Sequence, residues 1–197
     1  MLERATAIVK KVGIFGLVSH ASRYLYYNLK TKWEFVYFYV DFNKLPRELI
    51  KRNNNIIIRI AKEEDINKIL SDVSPYMTQT EKNDIDFIKK IGNSSFNCFI
   101  VEMNGLIVHY SLLFERAKKS PLMKTTINKS NITIEDAYLS TIYTVPSARG
   151  LWIVPDVLVY ILNYLKKKKT RRLYAIVHKK TKGAAAYYKR LGFTRCN

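Results

Sequence analysis

The sequence predicts an α/β fold, an α+β arrangement in which a central mixed sheet carries helices on both faces. Two apolar runs, 96–103 and 106–115, are joined by Asn104-Gly105, the dipeptide most typical of a tight antiparallel hairpin. A strand–helix–strand pattern over 137–178 requires a parallel strand pair with a right-handed crossover. Antiparallel and parallel pairing within one sheet would make that sheet mixed.

Residues 1–50 are predicted to form an N-terminal extension of a domain that covers 51–197. Lysine and arginine are mixed with apolar residues over 1–30, which predicts one or two amphipathic helices. These helices could pack on the domain, pair with another subunit or lie on a membrane surface, and packing is the default interpretation. The run WEFVYFYV at 33–40 is dense in aromatic and β-branched residues and predicts a strand. A short helical turn is predicted at 47–51.

Between the extension and the hairpin, the sequence predicts one strand and two helices. The β-branched run at 56–60 indicates the strand. Acidic residues at 63–65 suit the positive end of a helix, and the apolar residues at 66–70 follow at helical spacing. A second helix is predicted over 81–91, because glycine and asparagine follow it directly.

After the hairpin, the sequence predicts a strand at 137–145, a helix at 155–168, a strand at 172–178 and a helix at 183–190. The apolar residues of the first of these helices form one stripe, as expected of a helix packed on a sheet. The second strand is apolar on both faces, which is typical of a buried parallel strand.

The composition indicates a strongly basic protein. Lysine and arginine number 34 against 16 acidic residues, a formal net charge of +18. Such an excess favours polyanionic partners such as nucleic acid, anionic lipid or a phosphate-rich small molecule, and a solvated basic surface is an equal alternative. Cys98 and Cys196 match no metal-site spacing, so no metal is expected and a reduced, cytoplasmic location is favoured. No run reaches the roughly 20 apolar residues of a membrane span, which leaves peripheral membrane association open.

Three segments carry a family resemblance. They are IIIRIAKEEDINKI at 56–69, IYTVPSARGLWIVPDVLVYIL at 142–162 and KGAAAYYKRLGF at 182–193. In this order they resemble the opening strand, the strand–pyrophosphate loop–helix unit and the closing helix of the GNAT acetyltransferase superfamily. The resemblance implies the GNAT fold from about residue 56 onward. Family members usually continue with a strand after the Gly-Phe pair, so the strand at 33–40 is expected to extend or complete the sheet here instead.

The resemblance implies a site for acyl-coenzyme A. A loop that enters a helix N-terminus offers unpaired amides and a positive dipole end to the pyrophosphate, and the strand before it offers backbone groups to the pantetheine arm. A backbone N–H near Val145 would stabilise the oxyanion of the thioester. The implied cofactor-binding residues are Ile142, Tyr143, Thr144, Val145, Arg149, Gly150, Leu151, Trp152, Ile153 and Val154.

The pyrophosphate loop departs from the family pattern at two positions. The family's glycines would fall at Trp152 and Val154. Glycine lets backbone amides approach a phosphate closely. An indole at position 152 is therefore predicted to crowd the phosphate site.

Two catalytic residues are predicted. Tyr188 matches the tyrosine with which the family often protonates the departing thiolate, and a phenol with an unperturbed pKa of about 10 is a donor at neutral pH. His109 is predicted as the general base, because it is the histidine that lies well inside the strand region. The alternatives for this base are His178, Glu102, Asp136, Tyr143 and a water molecule.

The resemblance implies an acyl-CoA-dependent N-acyltransferase, most simply an acetyltransferase that uses acetyl-CoA. The expected acceptor is a small-molecule amine or sugar amine, attacked directly by the amine on the thioester. One alternative is an inactive GNAT-like module that binds nucleic acid or protein, and another is a peripheral membrane protein. The basic run at 166–172 is either a solvated helix end or a nucleic-acid contact. A homodimer is also open.

Overall fold

The computed structural model of the chain describes residues 35–45, 55–78, 88–90, 96–117, 132–179, 181 and 183–196. The predicted N-terminal helices and the predicted turn at 47–51 lie outside these described residues. So does nearly all of the helix predicted at 81–91.

The predicted strands are all present, with their ends moved by at most two residues. The strands are β1 (Phe35–Asp41), β2 (Ile57–Ile60), β3 (Asn97–Met103), β4 (Leu106–Phe114), β5 (Ala137–Thr144), β6 (Arg172–His178) and β7 (Thr194–Arg195). The helices described in full are α1 (Asp65–Asp72), α2 (Ile153–Lys167) and α3 (Ala184–Arg190). The two-residue β7 was not predicted, because so short a strand has no periodicity of its own.

The strands form one mixed sheet in the order β2-β3-β4-β5-β6-β1-β7. β3 and β4 pair antiparallel across the Asn104-Gly105 turn, and β5 and β6 pair parallel. The predicted mixed sheet is therefore confirmed. The parallel pair arises because α2 carries the chain back across one face of the sheet between β5 and β6.

The N-terminal strand lies inside the sheet, between β6 and β7. All seven residues of β1 pair antiparallel with β6, from Phe35 opposite His178 to Asp41 opposite Arg172. β7 contributes only two residues to the other edge of β1. The prediction that this strand completes the sheet is confirmed. A two-residue strand could not have satisfied the exposed backbone groups of β6, which β1 covers along its whole length.

Helix α2 packs against the sheet through its apolar stripe. Val157, Leu158, Ile161, Leu162 and Leu165 are all at most 1% exposed. This packing holds the N-terminus of α2 beside the C-terminal end of β5, because the chain has only a short loop between them. No helix among the described residues is both long and apolar enough to cross a lipid bilayer.

Candidate active site

A cleft opens where β5 and β6 part. The two strands pair only over Ala137–Leu139 and Leu173–Ala175. The pairing of β5 with β4 shifts register between Leu112 and Leu113, at the same level, and such a bulge bends the strand that carries the extra residue. β5 thereby stays with β4 and leaves β6. The space between the parted strands is a cavity of about 600 Å³.

The cleft brings together residues from both strands, the loop, α2 and α3. Its lining comprises Leu139, Ser140, Thr141, Ile142, Tyr143, Thr144, Arg149, Val154, Ile176, Val177, His178, Thr181, Ala184 and Tyr188. Six residues of the predicted site line the cleft, namely Ile142, Tyr143, Thr144, Arg149, Val154 and Tyr188. The other predicted cofactor-binding residues lie in the adjoining segment from Val145 to Ile153, and His109 lies elsewhere in the sheet. The predicted site lacked the lining residues of β6. Parallel pairing of β5 with β6 was the signal that could have indicated them.

The backbone amides that face the cleft belong to Ile142 and Thr144. The N–H of Val145 donates to the carbonyl of Val108 at 3.0 Å. Amides along an antiparallel strand alternate between its two neighbours, so those of Ile142 and Thr144 face away from β4 and into the cleft. Within the described part of the chain neither has an acceptor. The predicted oxyanion donor near Val145 is therefore narrowed to the amides of Ile142 and Thr144, because the amide of Val145 itself is used within the sheet.

The loop into α2 presents a series of backbone amides. Gly150 has φ +84° and Trp152, the residue that caps the helix, has φ 61° and ψ 17°. The amides of Gly150, Leu151, Ile153 and Val154 have no acceptor within the described ranges. The first amides of a helix lack intrahelical partners and lie at its positive end. Their concentration here gives the loop the donor set that a phosphate group requires.

The indole of Trp152 lies at the surface, outside the cleft lining. The residue is 48% exposed, and its neighbour Leu151 is 44% exposed. Trp152 has a left-handed backbone, a conformation that favours glycine and costs roughly 1–2 kcal/mol for a residue with a side chain. The backbone path of the loop is thus compatible with tryptophan, and this placement of the ring argues against the predicted crowding.

Arg149 stands at the junction of the cleft and the loop. Its Nε donates to the carbonyl of Thr144 at 3.0 Å, and its guanidinium carbon lies 5.8 Å from the ring centroid of Tyr143. These contacts hold an exposed cation at the point where β5 ends. A fork-shaped guanidinium in this place suits a phosphate oxygen.

Tyr188 lines the cleft from α3 and is 3% exposed. Its ring stacks on Phe38 of β1 at 5.6 Å and meets Phe193 edge-on at 4.8 Å, measured between ring centroids. Burial raises the pKa of the Tyr188 hydroxyl above that of an ordinary phenol. The hydroxyl therefore stays protonated throughout the neutral range and can donate its proton.

His109 is enclosed in the sheet. The residue is 0% exposed; its Nδ1 lies 2.8 Å from Thr144 Oγ1 and its Nε2 lies 2.7 Å from Ser111 Oγ. Burial lowers the pKa of the imidazole to about 3, so the ring is neutral at physiological pH. The ring does not line the cleft, and both of its nitrogens are engaged. This environment favours a structural role over the predicted role of general base.

The carboxylates that were alternatives for the base form internal ion pairs. Glu102 accepts from Nε of Arg59 at 2.9 Å. Asp136 is fully buried and lies 2.6 Å from Nη2 of Arg171. Neither residue lines the cleft.

The other two alternatives, Tyr143 and His178, do line the cleft. The Tyr143 hydroxyl donates a hydrogen bond to the carbonyl of Tyr76 at 2.6 Å, so its proton is already engaged within the fold. His178 is the last residue of β6, is partly buried and stands on the opposite wall from β5.

The basic run after α2 is partly neutralised within the fold. Lys168 lies 3.6 Å from a carboxylate oxygen of Glu115, and Arg172 lies 3.5 Å from one of Asp41. Arg171 pairs with the buried Asp136, as described above. Three of the cations in this run therefore serve internal contacts, which favours the structural interpretation over a nucleic-acid contact.

Comparison with solved structures shows the same fold in several N-acetyltransferases. An aminoglycoside N-acetyltransferase in complex with CoA superposes with a TM-score of 0.58 at 13% identity, over 76% of this chain and 94% of that one. The ribosomal-protein alanine N-acetyltransferase of Escherichia coli gives 0.53 at 17% identity, over 72% and 79%. A GCN5-related N-acetyltransferase from Sphaerobacter thermophilus gives 0.55 at 14% identity, over 83% and 48%.

At these identities the likeness concerns the fold: the sheet and helices of this chain have the GNAT architecture. No family model and no curated protein sequence matches the chain. The fold implied by the three sequence segments is thus confirmed by structure, at a similarity that sequence comparison alone does not detect.

Proposed function

We propose that the chain is an acyl-CoA-dependent N-acyltransferase that transfers an acetyl group from acetyl-CoA to a small-molecule amine or sugar amine. One observation carries the proposal: the cleft between β5 and β6 continues into a loop in which the amides of Gly150, Leu151, Ile153 and Val154 have no acceptor among the described residues. Strand amides along one wall and helix-end amides at its mouth match an extended ligand with a diphosphate at one end.

The residues present fit coenzyme A in its two chemically different parts. The loop amides from Gly150 to Val154, together with Arg149, would hold the diphosphate. The unpaired amides of Ile142 and Thr144 would pair with the pantetheine arm as a neighbouring strand does. The surface position of the Trp152 indole leaves this path open.

The thioester of acetyl-CoA supplies an activated acyl group when it is bound. An amide of Ile142 or Thr144 would stabilise the negative charge that develops on the carbonyl oxygen, an effect typically worth about 3 kcal/mol of barrier. Tyr188 would donate its proton to the departing sulfur, since burial keeps the hydroxyl protonated. The contacts with Phe38 and Phe193 hold its ring in the cleft.

The acceptor class rests on the chemistry named for proteins of the same fold. Those proteins acetylate aminoglycosides or a ribosomal-protein alanine, and both are amines. An exposed cleft with polar and apolar lining residues accommodates a small amine beside the thioester.

Calorimetric titration with acetyl-CoA tests the proposal directly. We expect saturable binding in the wild type and binding weakened about 10–100-fold in Arg149→Ala, the equivalent of roughly 1.5–3 kcal/mol for a lost charge-assisted hydrogen bond. Arg195→Ala is the matched control, because it removes an exposed arginine from β7, outside the cleft lining. No binding in the wild type, or equal losses in the two variants, would contradict the proposal.

A further inference from the structure

A primary amine reaches the cleft mostly as its ammonium form, which has no lone pair for attack on a thioester. It must first lose a proton, so the reaction proposed above needs a base within reach of the cleft. The inference that follows rests on the proposed function. It concerns which side chain of this fold can take that proton.

The lining of the cleft leaves one side chain for this task. No aspartate or glutamate is among the described residues that line it. Arg149 is always protonated, and the hydroxyl of Tyr143 is bonded to Tyr76. The Tyr188 hydroxyl is protonated at neutral pH, because burial raises its pKa, so it can donate a proton but cannot take one from an ammonium group. His178 is the histidine among the described lining residues, and histidine is the side chain that most often serves as a general base.

We propose that His178 is the general base of the transfer reaction. β6 ends at this residue, and the amide of Thr181 donates to the His178 carbonyl at 2.9 Å, a turn that leads into α3. The turn brings His178 and Tyr188 into the lining of one cavity, opposite the strand β5 that carries the amides of Ile142 and Thr144. A base and an acid thus share the cleft with the donors for the oxyanion.

The proton balance is closed by these two side chains and solvent. An N–H bond of the ammonium breaks, its proton goes to the imidazole of His178, and the electron pair stays on nitrogen. That pair forms the new C–N bond while the C–S bond breaks, and the sulfur takes the proton of Tyr188. The second proton lost by the nitrogen restores the Tyr188 hydroxyl, and His178 returns its proton to water. The products are an amide and a free thiol.

A comparison of His178 with His109 shows that the position of a histidine in the fold decides whether it can act as a base in the cleft. Both lie on neighbouring parts of the same sheet, but His109 is 0% exposed and bonded through both nitrogens. His178 is partly buried and belongs to the cleft wall. Among the described residues, Arg149, Tyr143 and Tyr188 are the charged and titratable groups that share the cleft lining with His178, and Lys179 follows it in the chain.

Two small nucleophiles test this role without knowledge of the natural acceptor. Benzylamine is mostly protonated at neutral pH and needs a base, whereas hydroxylamine is mostly unprotonated and does not. Thiol release from acetyl-CoA would be measured with each probe for the wild type, His178→Gln and the control Arg195→Ala, which removes an exposed side chain of β7 outside the cleft lining. Acetyl-CoA binding by calorimetry verifies that each variant is folded.

We expect His178→Gln to lower kcat for benzylamine by about 100-fold or more and to leave the hydroxylamine rate within a few-fold of the wild type. Added imidazole should partly restore the benzylamine rate in His178→Ala. Arg195→Ala should keep both rates. In a protein that binds acetyl-CoA, equal losses with both probes, unchanged rates, or no acetylation of either probe would overturn the inference. A wild type that does not bind acetyl-CoA instead overturns the proposed function.

Discussion

Acidification from about pH 8 to about pH 5 is expected to destabilise the protein through His109. The imidazole is fully buried between two hydroxyls, and burial lowers its pKa to about 3 from an ordinary value of 6.5. Below pH 6.5 the unfolded chain binds a proton at this residue, and the folded protein does so only near pH 3. The contribution is therefore fully present above pH 6.5 and is lost progressively as the pH falls towards 3.

The size of this loss follows from the difference in pKa. Each pH unit below the unfolded pKa costs about 1.4 kcal/mol until the folded pKa is reached, so the loss is about 2 kcal/mol at pH 5. It approaches roughly 5 kcal/mol near pH 3. The pKa values of Asp65 and Asp72 are lowered from an ordinary value of 3.8. Both carboxylates are therefore mostly ionised at pH 5 in the folded and in the unfolded chain, and they do not contribute to the loss at that pH.

Urea denaturation at the two pH values measures this effect. The wild type should lose about 2 kcal/mol of unfolding free energy on acidification, and His109→Gln should lose almost none, because glutamine can hydrogen-bond but takes up no proton. The matched control His178→Gln should behave as the wild type does, since it retains His109. A wild-type loss that persists unchanged in His109→Gln would refute this reasoning.

Three further substitutions have defined outcomes. Tyr188→Phe should lower acetyl transfer to benzylamine by about 10²–10⁴-fold and leave acetyl-CoA affinity unchanged in calorimetry. Trp152→Gly should not lower the urea midpoint, because it removes a left-handed strain of roughly 1–2 kcal/mol, whereas Trp152→Val should lower it. Asp136→Asn should reduce the unfolding free energy measured in urea by about 2–3 kcal/mol, since it breaks the buried pair with Arg171.

Each of these outcomes has a clear opposite. Full activity of Tyr188→Phe would exclude the tyrosine as the acid. A midpoint lower in Trp152→Gly than in Trp152→Val would show that contacts of the indole outweigh the backbone strain. An Asp136→Asn variant as stable as the wild type would show that Arg171 finds another partner or full hydration.

Most of the secondary structure was predictable because its causes are local. Asn104-Gly105 favours a tight turn whatever surrounds it, and the hairpin forms at that turn. The stripe of α2 repeats with the period of a helix, and its members are buried as predicted. The aromatic run at 33–40 indicated a strand by composition, and the structure shows that this strand pairs with β6.

The candidate site was predictable in part. The loop from Arg149 to Val154 and the tyrosine at 188 were identified from their resemblance to a family, and the structure places them on and around one cleft. The sequence did not predict which backbone amides of β5 face β4 and which face the cleft. The pairing of Val145 with Val108 decides this alternation. The sequence did not distinguish His109 from His178 for the same kind of reason, because both are strand residues and only the pairing of the strands decides which of them lines the cleft.

By itself, the sequence determined β1 to β6, α1 to α3, their order and the loop that enters α2, because each depends on residues close together in the chain. The tertiary structure alone decided where β5 leaves β6, which amides remain without acceptors and which histidine reaches the cleft. Those features arise from pairing between residues dozens of positions apart, and a local pattern carries no information about that register.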